Sequence, residues 1–248
     1  MKGTWAVLVF AMVWPTLAAL GYFVGLASND GAEAGANVAF LTVYVGSKIV
    51  QFSLPVLWLG IWQGQKLRPS VPQFGGLRLG LAFGLLVAGA MLALYFGELQ
   101  HSSLLRDLPS KLHAKLADFR IATPLRFVLF GTFLTAIHSL LEEYYWRWFV
   151  FGELKRLVTL PPAIVISGLA FMAHHVVVLA EYVPRLEFML TLSLGIAIGG
   201  MVWAWLYERT GSIWSAWLSH LVIDAAIIVI GYHAAFVTPI AEGVSSAP

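Results

Sequence analysis

The chain contains no cysteine among its 248 residues. That absence excludes disulfides, thiolate metal ligands and a cysteine nucleophile. Charge is also scarce, at 11% of residues, whereas an average soluble domain has roughly 25%. The formal net charge is +2, and no stretch concentrates Lys and Arg on a soluble face, so nucleic acid is not expected as a partner. We find no internal repeat and no second domain, which predicts a single integral membrane domain over residues 1–248.

Hydrophobic residues make up 59% of the chain, and the mean hydropathy is +0.81. A helix needs about 20 apolar residues to cross a bilayer. Seven stretches satisfy this: 4–28, 37–62, 79–97, 125–151, 160–181, 187–207 and 212–238. Separate spanning segments can satisfy their backbone hydrogen bonds in lipid only as helices. The sequence therefore predicts an all-α, polytopic transmembrane helix bundle of about seven to eight spans.

The loops give an expected orientation. The first apolar stretch is longer than the core of a cleaved signal peptide, about 7 to 15 residues, so we expect it to be retained as a span. Lys66, Arg68 and Arg78 mark the loop after the second span as cytoplasmic. The loop Asn29–Asn37 has no basic residue and is expected on the opposite side.

The segment 103–120 is more polar than the spans around it. Leu108, Leu112, Leu116 and Phe119 recur in it at helical spacing. This pattern predicts an amphipathic helix that lies on the membrane surface or caps the bundle.

The fourth span carries charge at membrane depth in the stretch LEEYYWRWF, residues 141–149. Glu143 and Arg147 are four residues apart, the spacing of an ion pair within one helix, and we interpret this pair as mainly structural. Glu142 lies over His138 and Trp146 and has no cation at pairing distance along its own helix. It therefore needs a partner from another span.

Two later spans supply candidate partners. In FMAHH, His175 shares a face with Phe171 and His174 is turned away, so we predict that His175 meets Glu142. In the last span, His220 and Asp224 are four residues apart and share a face. At a rise of about 1.5 Å per residue, Glu142, His175, His220 and Asp224 fall within about 10 Å of one level in the membrane. This agreement predicts one buried polar site.

Other ionisable residues in the spans have simpler interpretations. His138, His174 and His233 are expected to form hydrogen bonds between helices. Lys48 either lines the cavity or extends to an interface, and we favour the interface.

The four convergent residues suit hydrolysis. A carboxylate beside an imidazole can activate water as a general base, and a second histidine with a neighbouring carboxyl can stabilise a developing oxyanion. Glu142, His175 and His220 could also hold zinc, because carboxylate and imidazole are ligands for it. The HExxH motif is absent, however, and the spacing does not require a metal, so we expect no cofactor.

Three motifs occur in order along these spans: EExxxR as Glu142–Arg147, FxxxH as Phe171–His175, and Hxxx(N/D) as His220–Asp224. Together they resemble the CPBP family, the CAAX proteases and bacteriocin-processing enzymes also called Abi. The resemblance covers about residues 125–230. It implies an intramembrane endopeptidase of the glutamic type, in which Glu142 activates water with the help of His175, while His220 and Asp224 form the oxyanion site. Its relatives have eight spans.

The resemblance also implies a substrate class, namely a peptide or lipidated protein at the membrane, either a prenylated CAAX type or a leader peptide. Membrane lipid is the other expected partner, and a bacterial or archaeal cell membrane is the expected location. Asp224 stands where eukaryotic relatives usually carry Asn. An ionised Asp cannot donate a hydrogen bond, so Asp224 must be protonated or must orient His220.

Two other function classes fit parts of the pattern. A non-catalytic membrane scaffold or immunity protein could retain the polar site as a network that joins helices. A transporter would account for Lys48 and the buried carboxylates, but the chain lacks the repeated halves and paired interrupted helices of such carriers.

Overall fold

The computed structural model describes residues 2–21, 35–66 and 70–238. Helices dominate these residues, and no strand occurs among them. The first three are α1 (Lys2–Leu20), α2 (Gly35–Pro55), which continues as a π-helical segment (Val56–Trp62), and α3 (Phe74–Gly97). After two short 3-10 turns, α4 covers Leu108–Asp118. The chain ends with α5 (Pro124–Leu154), α6 (Leu160–Tyr182), α7 (Leu186–Thr210) and α8 (Ile213–Phe236).

Seven of the described helices, all except α4, are long and apolar enough to cross a membrane. This confirms the predicted all-α, polytopic bundle and places its span number at seven within the described residues. The loop Asn29–Asn37, used for the expected orientation, lies largely outside the described residues, as does Arg68. The orientation in the membrane stays a prediction.

The predicted amphipathic segment forms helix α4. Leu112 and Leu116 pack against Phe127 of α5 and Phe236 of α8, so this helix covers one end of the bundle. Leu116 is 4% exposed. The apolar face read from the leucine spacing is therefore buried against the neighbouring spans.

Helix α5 is not a uniform α-helix. Two π-helical segments, Leu134–His138 and Tyr144–Phe151, flank a short α-helical segment, Ser139–Glu143. Such wider turns often occur at functional sites. Here the second begins directly after Glu143, and the first ends at His138, one helical turn before Glu142.

Helices α3 and α8 approach each other closely. Gly76, Gly80 and Gly84 form one face of α3 that meets Ser215 and Ser219 of α8. A Cβ atom at Gly80 would lie 2.0 Å from the backbone oxygen of Ser215, so only glycine permits this distance. The contact fixes the position of the first turns of α8, which carry His220.

The core lies where α1, α5, α6, α7 and α8 meet. It includes Leu8, Tyr145, Trp146, Phe171 and Trp203. The Tyr145 hydroxyl donates a hydrogen bond to the Ala11 carbonyl oxygen of α1 at 2.7 Å. The candidate site is thus enclosed by aromatic side chains.

Candidate active site

Glu142 lies among imidazoles from two other spans. Its carboxylate oxygens are 3.5 Å from His174 Nε2 on α6 and 3.7 Å from His220 Nε2 on α8. Both distances exceed the usual hydrogen-bond range of about 2.7–3.2 Å. Glu142 is 3% exposed. The predicted convergence of the fourth, fifth and seventh spans is therefore present in the structure.

The predicted partner on α6, His175, has a ligand atom within 4.8 Å of one from Glu142, but its neighbour His174 lies nearer. His174, not His175, has the ring nitrogen that comes within 4 Å of Glu142. The ring of His175 directs Nδ1 to the backbone carbonyl of Phe171, 2.9 Å away. The two rings are in contact, with centroids 4.0 Å apart. Adjacent helical residues point about 100° apart. A carboxylate that lies between these two directions can therefore be approached by both histidines.

His174 is held by aromatic packing. Its ring is parallel to the indole of Trp146, with an interplanar angle of 2° and a centroid distance of 5.8 Å. Phe171 meets the same ring edge-on. The prediction that His174 is turned away from the site is wrong, because its Nε2 lies 3.5 Å from Glu142.

Glu143 has a second partner besides Arg147. The predicted ion pair is present, with Arg147 Nε 3.1 Å from Glu143 Oε2. In addition, Glu143 Oε1 lies 2.8 Å from His220 Nδ1. A carboxylate can only accept a hydrogen bond, so His220 carries a proton on Nδ1 in this contact. Glu143 therefore orients His220 across two helices as well as pairing with Arg147.

Arg147 is fully buried between two aromatic rings. Its guanidinium carbon is 4.5 Å from the ring centroid of Phe171 and 4.9 Å from that of Trp203. Its terminal nitrogens form no hydrogen bond within the described part of the chain. Cation–π contacts thus supply much of the surroundings of this charge.

His220 is held by contacts with Trp203 and Asp224, in addition to Glu143. Its ring stacks on Trp203 of α7 with centroids 4.2 Å apart. Trp203 is itself held by a hydrogen bond from its Nε1 to Ser219 Oγ, at 3.0 Å. On the same helix, Asp224 Oδ2 is 3.5 Å from His220 Nε2. Asp224 therefore contacts the same nitrogen that faces Glu142.

The remaining histidines and Lys48 occupy distinct positions. His233 Nδ1 and the Tyr95 hydroxyl are 3.0 Å apart, which is the predicted hydrogen bond between helices. His138, one turn before Glu142, packs edge-on against Phe52 of α2. Its Nε2 is buried without a hydrogen-bond partner among the described residues. Lys48 donates a hydrogen bond to Gln51 Oε1 at 3.2 Å.

One group of side chains could hold a metal ion. Glu142, His174 and His175 each offer a ligand atom, and these atoms lie within 4.8 Å of one another. One carboxylate oxygen and two imidazole nitrogens form a donor set that zinc accepts. The set differs from the one predicted, because His174 takes the place of His220. A zinc ion bound there would lower the pKa of a bound water.

Residues 124–226 match the sequence model of the type II CAAX prenyl endopeptidase Rce1-like family. Over this segment the chain is similar to the Rce1-like family. The match supports the predicted resemblance to the CAAX proteases. No curated protein and no solved structure gives a significant match.

The Rce1-like segment contains every residue that the three motifs single out. It extends over α5, α6, α7 and the first half of α8. Helices α1 to α4 lie outside it. The family is one of membrane proteases, so the match indicates a protease, which is a hydrolase.

Proposed function

We propose that the protein is an intramembrane endopeptidase that hydrolyses a peptide bond in a membrane-associated substrate through water activated by Glu142. The observation that carries the proposal is the buried Glu142 carboxylate facing the imidazoles of His174 and His220 at 3.5 and 3.7 Å. These separations exceed a direct hydrogen bond and suit side chains that act on a shared third group. The Rce1-like match supports the reaction class.

Glu142 takes the role of general base. Its carboxylate accepts a proton from water as the water oxygen bonds to the scissile carbonyl carbon. The C–N bond then breaks, and the same proton passes from Glu142 to the departing amine. His174 lies beside the reacting water and orients it, and His175 supports His174 through ring contact.

His220 stabilises the oxyanion. Its Nδ1–H is engaged by Glu143, so it can donate from Nε2 only as an imidazolium. The surrounding carboxylates of Glu142, Glu143 and Asp224 balance that positive charge. Asp224 orients His220 and is not a second donor, which resolves the difficulty of placing an ionised Asp in an oxyanion site.

The proposed substrate belongs to the prenylated CAAX class or to leader peptides. The proposed location of the enzyme is a bacterial or archaeal cell membrane.

The test uses the purified protein in lipid nanodiscs with a prenylated CAAX-type peptide, its unprenylated counterpart and a leader-type peptide. Mass spectrometry of the products identifies the bond that is cut. We expect cleavage of at least one lipidated or leader peptide by the wild type and a rate about 10²- to 10⁴-fold lower for Glu142→Gln.

Glu153 offers a matched control. It is a buried glutamate on the same helix, paired with Arg156 and bound by Gln63 at 3.1 Å, and it lies outside the site. Glu153→Gln should retain cleavage. Equal activity of the wild type and Glu142→Gln would overturn the proposal.

Metal analysis distinguishes a zinc-dependent form of the reaction from a metal-free one. Elemental analysis of the purified protein and treatment with a chelator give the two readouts. Full activity without bound metal supports the metal-free mechanism, whereas loss on chelation with recovery on adding zinc would contradict it.

A non-catalytic scaffold is the second candidate. The charged network from Arg147 through Glu143 to His220 joins α5 to α8 and could serve stability alone. A scaffold would cleave none of the peptides, and Glu142→Gln would then change only its thermal stability.

A further inference from the structure

Helix α5 widens into a π-helical turn at Leu134–His138, which we call the wide turn. A π-helical hydrogen bond joins residues five apart, whereas an α-helical one joins residues four apart. The Ser139 N–H accordingly donates to the Leu134 carbonyl oxygen. The wide turn therefore holds one residue more than an α-helical turn, and it ends four residues before Glu142.

The extra residue decides the direction in which the two glutamates point. Successive residues of an α-helix are turned by about 100° about the helix axis. If the wide turn closed to an α-helical one, the residues after it would rotate by that angle relative to the start of α5. Glu142 would then take the direction that Glu143 has now. Its carboxylate would leave His174 Nε2, which is 3.5 Å away in this structure.

Two side chains donate hydrogen bonds to carbonyl oxygens of the wide turn. Ser139 Oγ, on α5 itself, donates to the Thr135 carbonyl oxygen. Trp217 Nε1, on α8, donates to the Ala136 carbonyl oxygen at 3.0 Å. A wider ring interrupts the regular ladder of backbone hydrogen bonds, and carbonyl groups away from water need other donors. These two side-chain bonds therefore stabilise the wide form of the turn.

Trp217 connects the wide turn to the helix that carries His220. The two residues are three apart on α8, so their side chains are neighbours on the helix surface. His220 Nδ1 in turn lies 2.8 Å from Glu143 Oε1. Helix α8 thus holds α5 at Ala136 and at Glu143, and Glu142 lies between these two points.

We propose that Trp217 is a positioning residue that keeps the wide turn open, so that Glu142 and not Glu143 faces His174. This inference rests on the proposed function, because it concerns how the general base is presented. Trp217 acts through the backbone of α5, and its indole N–H is the group that carries the role.

The test compares two tryptophans of α8 in the peptide cleavage assay in nanodiscs. Trp217→Phe removes the N–H and keeps an aromatic ring. Trp214→Phe is the matched control, because Trp214 Nε1 also donates to a backbone carbonyl, that of Ser70, at 2.6 Å. We expect Trp217→Phe to lower kcat by about 2- to 10-fold, as the loss of one hydrogen bond allows, and to leave KM unchanged. Trp214→Phe should leave both constants unchanged.

The second donor gives an independent pair of variants. Ser139→Ala should lower kcat in the same way as Trp217→Phe, because it removes the other hydrogen bond to the wide turn. Ser193→Ala is its control, since Ser193 is a buried serine of α7 whose Oγ donates to the Met189 carbonyl oxygen, also four residues back, at 2.8 Å. An unchanged kcat in Ser139→Ala and Trp217→Phe would overturn the inference.

An isostere separates the N–H from the shape of the ring. Benzothienylalanine has the shape of tryptophan and carries sulfur in place of the N–H. Its site-specific incorporation in place of Trp217 should lower kcat as much as Trp217→Phe does. Full activity of this protein would show that the ring alone acts, and the inference would be wrong.

Hydrogen exchange separates this inference from the proposed function, because it needs no cleavage. Mass spectrometry follows the backbone amides between residues 134 and 143 in nanodiscs. We expect faster exchange there in Trp217→Phe than in the wild type or in Trp214→Phe, and this result supports the inference even if no peptide is cut. Unchanged exchange, or an equal loss of kcat in Trp217→Phe and Trp214→Phe, overturns it, whereas cleavage by the wild type leaves the proposed function standing.

Discussion

The adjacent residues Glu142 and Glu143 lie on two sides of α5 that differ in how closely their carboxylates are contacted. On the Glu143 side, Arg147 and His220 lie 3.1 and 2.8 Å away, and neither Glu143 nor Arg147 is exposed. On the Glu142 side, the nearest imidazoles are 3.5 and 3.7 Å away. The first side is fixed by direct contacts, and the second retains side chains that can act on a third group. Neighbouring carboxylates in one helix can therefore serve structure and chemistry separately.

The largest effect is expected from Glu142→Gln. Loss of a general base lowers the rate by about 10²- to 10⁴-fold, whereas the direct contacts around Glu143 are left in place. The rate of peptide cleavage and the thermal stability in detergent are measured on one preparation. Little loss of activity, or unfolding that accounts for the loss, would remove the contrast between the two glutamates.

Substitutions on the Glu143 side should lower the free energy of unfolding. Glu143→Gln leaves Arg147 buried without its counter-charge, and breaking a buried pair costs about 3–5 kcal/mol. Arg147→Met should cost a similar amount, and the double variant less than the sum of the two. Unfolding free energies of the four proteins give the coupling. Strictly additive losses would show that the pair contributes no mutual stabilisation.

Variants of the two adjacent histidines of α6 test which imidazole assists Glu142. His174→Gln should reduce the rate by about 10- to 100-fold, because it removes the imidazole nearest Glu142. His175→Gln should have a smaller effect, since the His175 ring is tied to the backbone of its own helix. Steady-state rates of the two variants decide the order. The reverse order would restore the assignment that the FxxxH motif alone implies.

The smallest expected effect concerns how α8 brings His220 to Glu143. Gly80→Ala would place a Cβ atom 2.0 Å from the Ser215 backbone oxygen and must push α3 and α8 apart. Overpacking of this kind costs about 1–3 kcal/mol. Gly89→Ala, on the same helix with nothing within 4 Å, is the control. Equal stability of the two variants would show that the close contact does not position α8.

Hydropathy and motif spacing predicted much of this molecule. The bundle, the spans and the amphipathic helix follow from apolar length and leucine periodicity, since each is a property of one helix. The third span was predicted at 79–97, whereas α3 begins at Phe74. Hydropathy missed the first turn of α3 because glycine has low hydropathy, although Gly76 packs against α8. The positions of Glu142, His220 and Asp224 followed from shared depth.

What the sequence could not predict depends on rotation between helices. The contact from His220 to Glu143 joins residues 77 positions apart, and no periodicity within one helix reveals it. His174 was missed because the angle at which α6 faces Glu142 decides which of two adjacent histidines is nearer.

Single-turnover cleavage in H₂¹⁸O tests the central claim, that Glu142 activates water, most directly. Direct attack by water predicts one ¹⁸O atom in the new carboxyl group of the product during the first turnover, with no label in Glu142. An unlabelled first product, with ¹⁸O recovered in the Glu142 side chain, would show that Glu142 attacks the substrate itself and would contradict the account.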